Sequence, residues 1–424
     1  VRGTYARTVI SAARSKTVQK ALFAIFFSQG FLFTSIIPRI PEFIERIHVD
    51  FAQWGLITGF AGLGSLLGLT QTTKLVTRFG TRKLNRATAL ALAAVTLTFP
   101  YIHNGWLWFI ANFVYGLIGS IFNISLNAQA VAVQKLVNRV ILGRYHAAWA
   151  IGAASSAALS GLFAGFMPLE LHYLLVPVAV AATLLIAGRN LLFPAEEASV
   201  ETKIHTKRIP FFKSPKYVWL LTAGLFAGMF PELVMMDWSA VFAKTTLHVD
   251  PTLGAVPYTV FTGAMIVGRL SIGRLTKAFH FSELSKWGGI VGSVAMLAGL
   301  LIGPPIAAHE PVLALIVTSS FWAVAGLGVA PMVPSFLSAG GHVKGMNTSA
   351  VLSRMSLTNS IIVMLAKYVM GALAQGVGLG IALLFPIASF LCAGLLAGEV
   401  AKRAKRKDAL ANAFPPTGPL PVVD

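Results

Sequence analysis

Residues Ala21–Ile40 read ALFAIFFSQGFLFTSIIPRI. No charged side chain interrupts the run before Arg39, and at 1.5 Å of rise per residue a helix of this length crosses the roughly 30 Å hydrocarbon layer of a bilayer. Helix is the form to expect, because lipid offers no water to open backbone groups and the run is too long and unalternating for a barrel strand. Similar blocks recur at Gly55–Val76, Ala87–Ile102, Leu107–Val133, Tyr145–Phe166 and Leu169–Phe193. After a polar break they resume at Tyr217–Ala240, Gly254–Leu275, Gly288–Ala308, Val312–Leu337, Thr348–Ala374 and Val377–Val400. The expected fold is all-α and integral to a membrane, with twelve transmembrane helices in two pseudo-symmetric six-helix bundles.

The composition agrees. Of 424 residues 56% are hydrophobic and only 12% charged, and mean hydropathy is +0.73. Soluble multidomain enzymes, disulfide scaffolds and disordered chains are excluded by these values. The net charge of +19, from 34 Lys+Arg and 15 Asp+Glu, would point to nucleic acid in a soluble chain. Its placement points elsewhere. With an even number of spans the connecting segments fall into two sets; twenty-nine basic residues lie in one, and only Arg39, Arg46 and Lys244 in the other. That bias predicts cytoplasmic termini, a multi-pass protein of the cell (inner) membrane, contact with anionic lipid, and no nucleic-acid partner. The first block lacks a small-residue cleavage pattern and reads as the first helix rather than as a signal peptide. The single cysteine, Cys392, leaves no disulfide within the chain and no cysteine-rich metal site, and reads as a small buried hydrophobe.

The expected organisation is a cytoplasmic segment (1–20), a first bundle (21–193), a cytoplasmic linker (194–216), a second bundle (217–400) and a cytoplasmic tail (401–424). Internal repetition is visible after the second helix of each half, where Arg78-Phe79-Gly80-Thr81-Arg82-Lys83 has a counterpart in Gly273-Arg274-Leu275-Thr276-Lys277. Parallel repeats of this kind imply two bundles that rock about a site near the midplane.

On these residues the chain resembles the major facilitator superfamily over nearly its whole length. The superfamily's loop pattern is Gly-x-x-x-Asp-Arg-x-Gly-x-Arg. Arg78, Gly80 and Arg82 match it, whereas Thr73 and Thr77 replace the first Gly and the Asp; in the second copy Gly273 matches and Lys277 stands at the acidic place. The usual Asp-centred charge relay at the cytoplasmic gate is therefore in question. The phrases Thr34-Ser35-Ile36-Ile37-Pro38-Arg39-Ile40-Pro41, Asn123-Ile124-Ser125-Leu126-Asn127-Ala128-Gln129, Tyr145-His146-Ala147-Ala148-Trp149, Asp237-Trp238-Ser239-Ala240 and Gly268-Arg269-Leu270 resemble a bacterial subgroup akin to fucose permease. The resemblance implies secondary transport of a sugar-like or other small polar solute, an organic anion among them, across the cytoplasmic membrane, driven by protons, with Arg78 and Arg82 at the cytoplasmic gate.

Polar side chains at membrane depth are the candidates for this work, since each is costly there without a partner or a wet cavity. Arg39 and Asp237 are near-symmetric mates under the repeat offset, so Arg39 is expected to pair with Glu232 or Asp237 and close the outer gate; the competing reading makes Arg39 an interfacial anchor and Asp237 a helix cap. Glu232 lies about 22 Å along the seventh block and is the better proton site, because burial raises a carboxylate's pKa and a nearby cation lowers it again. A permanent ion pair with Lys367 or Arg354 is the alternative, and sodium coupling stays open, although no oxygen cage is legible. For the cargo, Ser120, Asn123 and Asn127 share one face of the fourth block, suited to a hydroxyl-rich solute or to a neighbouring helix. His146 is a loop-edge histidine or a proton relay, and Trp149 and Trp322 offer aromatic faces for a sugar ring or packing. Asn347, Arg354 and Thr358 form a stripe in which Arg354 suits an anionic group or a structural acid.

No Walker loop, zinc motif or Ser-His-Asp grouping is present, so no enzyme activity, cofactor or metal is expected. The fifth block lacks the Gly-Pro pair expected of drug–proton antiporters in the same superfamily, which ranks drug export lower. The reading is a monomeric carrier whose partners are a small-molecule substrate, a coupling proton (or sodium) and membrane lipids; the alternative is a transporter-derived scaffold or sensor without net transport.

Overall fold

The structure, a computed structural model, describes residues 11–137, 141–198, 215–341, 343 and 348–413. Arg2, Arg7, Arg139, Lys203, Lys207, Arg208, Lys213, Lys344 and Asn347 lie outside the described residues, as do most of the expected linker and the end of the tail. Among the described residues there is no strand, and twelve long helices run in chain order.

α1 (Ala12–Thr34) is continued by a 3-10 turn (Ile37–Arg39) and a short helix (Ile40–Arg46), because Pro38 and Pro41 lack the N–H that an unbroken ladder requires. α2 (Phe51–Phe79), α3 (Thr81–Thr98), α4 (Gly105–Val137), α5 (Leu142–Ala164) and α6 (Leu169–Gly188) complete the first half. A short helix (Pro194–Ala198) precedes α7 (Lys216–Thr245), α8 (Val256–Leu275), α9 (Phe281–Ala307), α10 (Pro311–Val329, continued by Met332–Gly341), α11 (Thr348–Val377) and α12 (Leu384–Ala413).

Eleven helical spans among the described residues are long and apolar enough to cross a membrane. α3 falls short because it starts at Thr81 rather than at Ala87, which brings Arg82, Lys83 and Arg86, expected in a loop, into its first turns. The connection before it is Gly80 alone, at φ 73°, a left-handed conformation that explains the glycine of the motif.

In the first half α1 packs on α5 and α6, α2 on α4, and α3 on α4 and α6; in the second α9 packs on α10 and α12, α8 on α10, and α7 on α12. Lipid is as apolar as these side chains, so close backbone approach must supply the cohesion. Small residues permit it: a Cβ on Gly116 of α4 would stand 2.2 Å from the Ala61 carbonyl oxygen of α2.

The twofold repeat shows most clearly in two turns. His48 and His248 are the non-glycine residues of positive φ among the described residues, at 53° and 54°. Each is followed by Val and Asp; Asp50 accepts from the Gln53 N–H at 2.7 Å, and Asp250 from the Thr252 N–H at 2.9 Å. Both turns lie at one end of the bundle, here the far end. Gly80 and the ends of α8 and α12 mark the opposite, basic end.

Candidate functional site

The two halves are joined at the far end. The Lys244 ammonium of α7 meets the Glu45 carboxylate at 2.5 Å, the Gln375 side-chain oxygen of α11 accepts from the Phe51 N–H at 3.0 Å, and the Phe51 ring stands edge-on to Trp238 at 5.5 Å. α2 and α11 cross where both carry glycine: a Cβ on Gly55 would lie 2.6 Å from the Lys367 carbonyl oxygen and 2.8 Å from the Gly371 Cα. α5 closes on α8 in the same way, a Cβ on Gly161 standing 2.7 Å from that of Ala255.

From this seal toward the basic end, α7 carries two carboxylates. Pro231 cannot donate to the Ala227 carbonyl, and the Ser389 hydroxyl of α12 donates to it instead at 3.2 Å, which keeps the kink satisfied in lipid. Glu232 follows the proline directly and accepts from the Arg269 guanidinium of α8 at 3.2 Å. Asp237, nearer the seal, forms a 2.7 Å ion pair with Lys367 of α11. Side-chain exposure rises from 8% at Asp237 and 14% at Lys367 to 24% at Glu232 and 37% at Arg269. The paired charges thus become more exposed toward the basic end. The buried Tyr258 of α8 lies within electrostatic reach of Glu232, Asp237 and Arg269.

Arg39 does not join this cluster, which corrects the expected pairing with Glu232 or Asp237. Its Nε donates to His172 Nδ1 at 3.2 Å, one terminal nitrogen to Glu42 at 2.8 Å, and the other to the carbonyls of Phe163 and Met167 at 3.0 and 2.6 Å. The proline-bent end of α1 folds the guanidinium back onto the Phe163 carbonyl in the last turn of α5 and the Met167 carbonyl just beyond it, at the electronegative end of that helix. His172 reaches on to Ser160 at 3.2 Å, so one buried side chain ties α1, α5 and α6 together. Arg39→Ala removes the donor that Glu42, His172 Nδ1 and the Met167 carbonyl share and is expected to cost about 3 kcal/mol of stability. The check is the thermal unfolding midpoint in detergent, and an unchanged midpoint refutes the structural role.

Trp322 is also corrected. It is 1% exposed, packs on Phe242 at 5.2 Å and donates its N–H to the Met296 carbonyl at 3.2 Å, so its ring fills the second half and offers no face to a cargo. Asn123 and Asn127 are brought together, the Asn127 amide donating to the Asn123 side-chain oxygen at 2.6 Å, with Asn123 exposed. Trp149 is half-buried, its backbone against Gly30 of α1, and His146 is exposed within electrostatic reach of Arg269 across the gap. Arg354 is buried and has a partner; Thr358 lies one turn on, half-buried.

At the basic end Arg78 lies exposed with its guanidinium 5.2 Å from the Phe79 ring, and Arg82 sits 4.0 Å over Phe193. The acid missing from the loop is supplied by the short helix Pro194–Ala198. Arg14 pairs with Glu196 at 3.0 Å, and Gln129 donates to Thr81 at 2.7 Å and to Glu197 at 2.5 Å. Burial pushes the Glu196 carboxyl up, but hydrogen bonds from Arg14 and the Phe193 N–H, with the charges of Arg14 and Arg82, outweigh it and hold it below the usual carboxylate range. A depressed carboxylate stabilises the fold above its unfolded pKa and loses that contribution as the pH falls through the folded value. Glu196→Gln is therefore expected to flatten the acid limb of the stability profile, and a profile of unchanged shape rejects this clip.

Sequence reasoning missed Arg269 and Tyr258. Arg269 reads as a loop residue beside Arg274, yet it lies in α8 well before the helix ends at Leu275; counting rise from the far-end turn rather than from the basic cluster would have put it at membrane depth.

The model of the Major Facilitator Superfamily matches residues 22–366. An uncharacterised MFS-type transporter of Yersinia pestis is 27% identical over 389 residues, covering 90% of this chain and 93% of that one. Membrane protein MosC of Rhizobium meliloti is 24% identical over 86% of this chain and 85% of its own, and multidrug resistance protein MdtG of Salmonella choleraesuis 25% identical over 65% and 68%. Among solved structures, the nucleoside transporter NupG superposes with a TM-score of 0.72 at 11% identity, covering 90% and 98% of the two chains. A D-xylose-proton symporter superposes at 0.65 and 12% identity, covering 91% and 97%. The match to the family model, over most of the chain and on a fold of the same kind, means that this protein is a multi-pass membrane transporter belonging to the Major Facilitator Superfamily.

Proposed function

We propose that the protein is a proton-coupled secondary transporter that carries a small polar solute across the cytoplasmic membrane by alternating access, with both termini in the cytoplasm. One observation carries the reading: a sealed far end stands above two charge pairs, Asp237–Lys367 and Glu232–Arg269, whose side chains become more exposed toward the basic end. Charges at membrane depth are retained where a wet passage needs them. With the Lys- and Arg-rich end in the cytoplasm, the state described is open inward.

Glu232 is the proton site in this scheme. It is partly exposed and has Arg269 as its partner, so any movement that draws the guanidinium away leaves a carboxylate that takes a proton. Asp237, paired with Lys367 beneath the seal, is the second carboxylate of the route. Asn123, Asn127, Trp149, Arg354 and Thr358 supply polar and aromatic surface for the cargo, and Arg78 and Arg82 act at the cytoplasmic gate. A polar cargo is supported by the names of the structural neighbours, a nucleoside transporter and a D-xylose-proton symporter, and by the phrases that resemble the fucose-permease subgroup.

The test is uptake into proteoliposomes from a panel of sugars, organic acids and amino acids. An inward proton gradient should concentrate at least one of them, and an uncoupler should collapse the accumulation. Accumulation on a sodium gradient alone moves the coupling to sodium. No concentrative flux under any gradient returns the chain to the scaffold reading.

A further inference from the structure

We infer that the cargo is a small organic anion and that Arg269 is the side chain that holds its carboxylate; the inference rests on the carrier reading above. The contrast with Arg39 carries it. Arg39 is 2% exposed and spends its guanidinium on four acceptors, as an arginine kept for architecture does. Arg269 stands at membrane depth with 37% of its side chain exposed and, among the described residues, has one hydrogen bond, to Glu232 at 3.2 Å. Its other donors have no hydrogen-bond partner among the described residues, and His146 of α5, in the other half, lies within electrostatic reach. A guanidinium presents a planar fork that fits a carboxylate with two parallel hydrogen bonds. The single contact to Glu232 leaves that fork open.

The basic end beside α5 carries the matching charge. Between α1 and α5 a cleft of about 420 Å³ is lined by Lys16, Lys20, Arg144 and Tyr145. Among the described residues no acidic side chain pairs with the three cations, and the Tyr145 hydroxyl, on a residue 3% exposed, has no hydrogen-bond partner. His146, the next residue of α5, lies within electrostatic reach of Arg269. Cations with no acidic partner among the described residues concentrate anions and repel lipophilic cations. A cargo carboxylate that takes Arg269 releases Glu232, which then takes one proton from the water in the gap. Anion and proton cross together and the step is electrically silent.

Matched probes that differ in the carboxylate test this: gluconate against sorbitol, lactate against lactamide, nicotinate against nicotinamide, with tetraphenylphosphonium as a cation control. Binding to the purified full chain and uptake into proteoliposomes are both read. The expected result is binding and electroneutral accumulation of at least one carboxylate, with its neutral partner ignored. Arg269→Gln should then weaken binding about 100-fold and Arg269→Lys about 10-fold, since an ammonium cannot fill the bidentate geometry. Glu232→Gln should tighten binding, because Arg269 is no longer shared; a purely structural ion pair would lose binding equally from either side. Binding of the neutral members or of the cation in place of the carboxylates, or of no probe at all, overturns the anion assignment. Carboxylate binding without concentrative flux under any gradient leaves the anion site standing and overturns the carrier reading.

Discussion

Glu232→Gln is expected to abolish gradient-driven accumulation, bringing the inside-to-outside ratio of the solute to unity, while exchange of labelled for unlabelled solute continues. The amide keeps the volume of the carboxylic acid and resembles its protonated form, so the gap can still close over cargo, but the side chain can neither bind nor release the proton that couples the cycle to the gradient. Arg269 explains why the position is sensitive. In the structure described the guanidinium holds the carboxylate at 3.2 Å, with both side chains partly exposed, and coupling requires that this contact be made in one state and broken in another. Asp237 gives the internal comparison. It is buried, 2.7 Å from Lys367, on the strand of contacts that seals the far end, and Asp237→Asn leaves Lys367 as an uncompensated cation. That variant should lose exchange together with accumulation, because it disturbs the seal itself. If Glu232→Gln still concentrates the solute to the wild-type ratio while Asp237→Asn does not, the proton belongs to Asp237.

The fold was legible because length and hydropathy decide it: apolar blocks as long as a bilayer leave helix as the form that satisfies the backbone. The departures have local causes. α3 begins at Thr81 because a positive-φ glycine turns the chain within one residue, so basic side chains that hydropathy assigns to a loop become helical. The site was legible in part. Glu232 and Asp237 stand out because acids at membrane depth are rare; Lys367 stands out with them, but the sequence suggests it as a partner of Glu232, whereas it pairs with Asp237. Arg269 was hidden by its neighbour Arg274, since a count of basic residues per loop does not register depth. Arg39 misled for a different reason: symmetry placed it opposite α7, whereas Pro38 and Pro41 break the helix and turn its side chain toward α5 and α6, a matter of backbone direction that a repeat offset does not contain. The His48 and His248 turns, each running on into Val-Asp, mark the twofold more sharply than the basic loops, because a left-handed residue followed by a capping Asp is a geometric requirement and the loop charges are not.

Gly55→Val, or Gly371→Val, is expected to shift the protein out of the far-end-closed state. The seal needs α2 and α11 nearly in backbone contact: a Cβ on Gly55 would meet the Lys367 carbonyl at 2.6 Å and the Gly371 Cα at 2.8 Å, and a Cβ on Gly371 would meet the Phe51 carbonyl at 2.4 Å. Backbone atoms held in two long helices cannot step aside as a flexible side chain can. The added volume costs about 1–3 kcal/mol, which moves a two-state equilibrium roughly 5- to 150-fold. The cost falls on one state, since opening the far end separates the two helices and removes the clash. Spin labels at Glu45→Cys and Lys244→Cys, in a background with the exposed Cys392 replaced, report the separation across the seal; the distance distribution should move to longer values in either valine variant. Gly263→Ala is the control, because nothing lies within 4 Å of its Cβ position. An unchanged distribution in both valine variants would mean that the glycine crossing does not hold the far end shut, and, with the Glu45–Lys244 pair already removed by the labels, the Gln375 hydrogen bond would have to hold it alone. Those polar contacts are exposed at the rim, where an ion pair contributes at most about 1 kcal/mol, so the glycine crossing is the element able to set the balance between the two states.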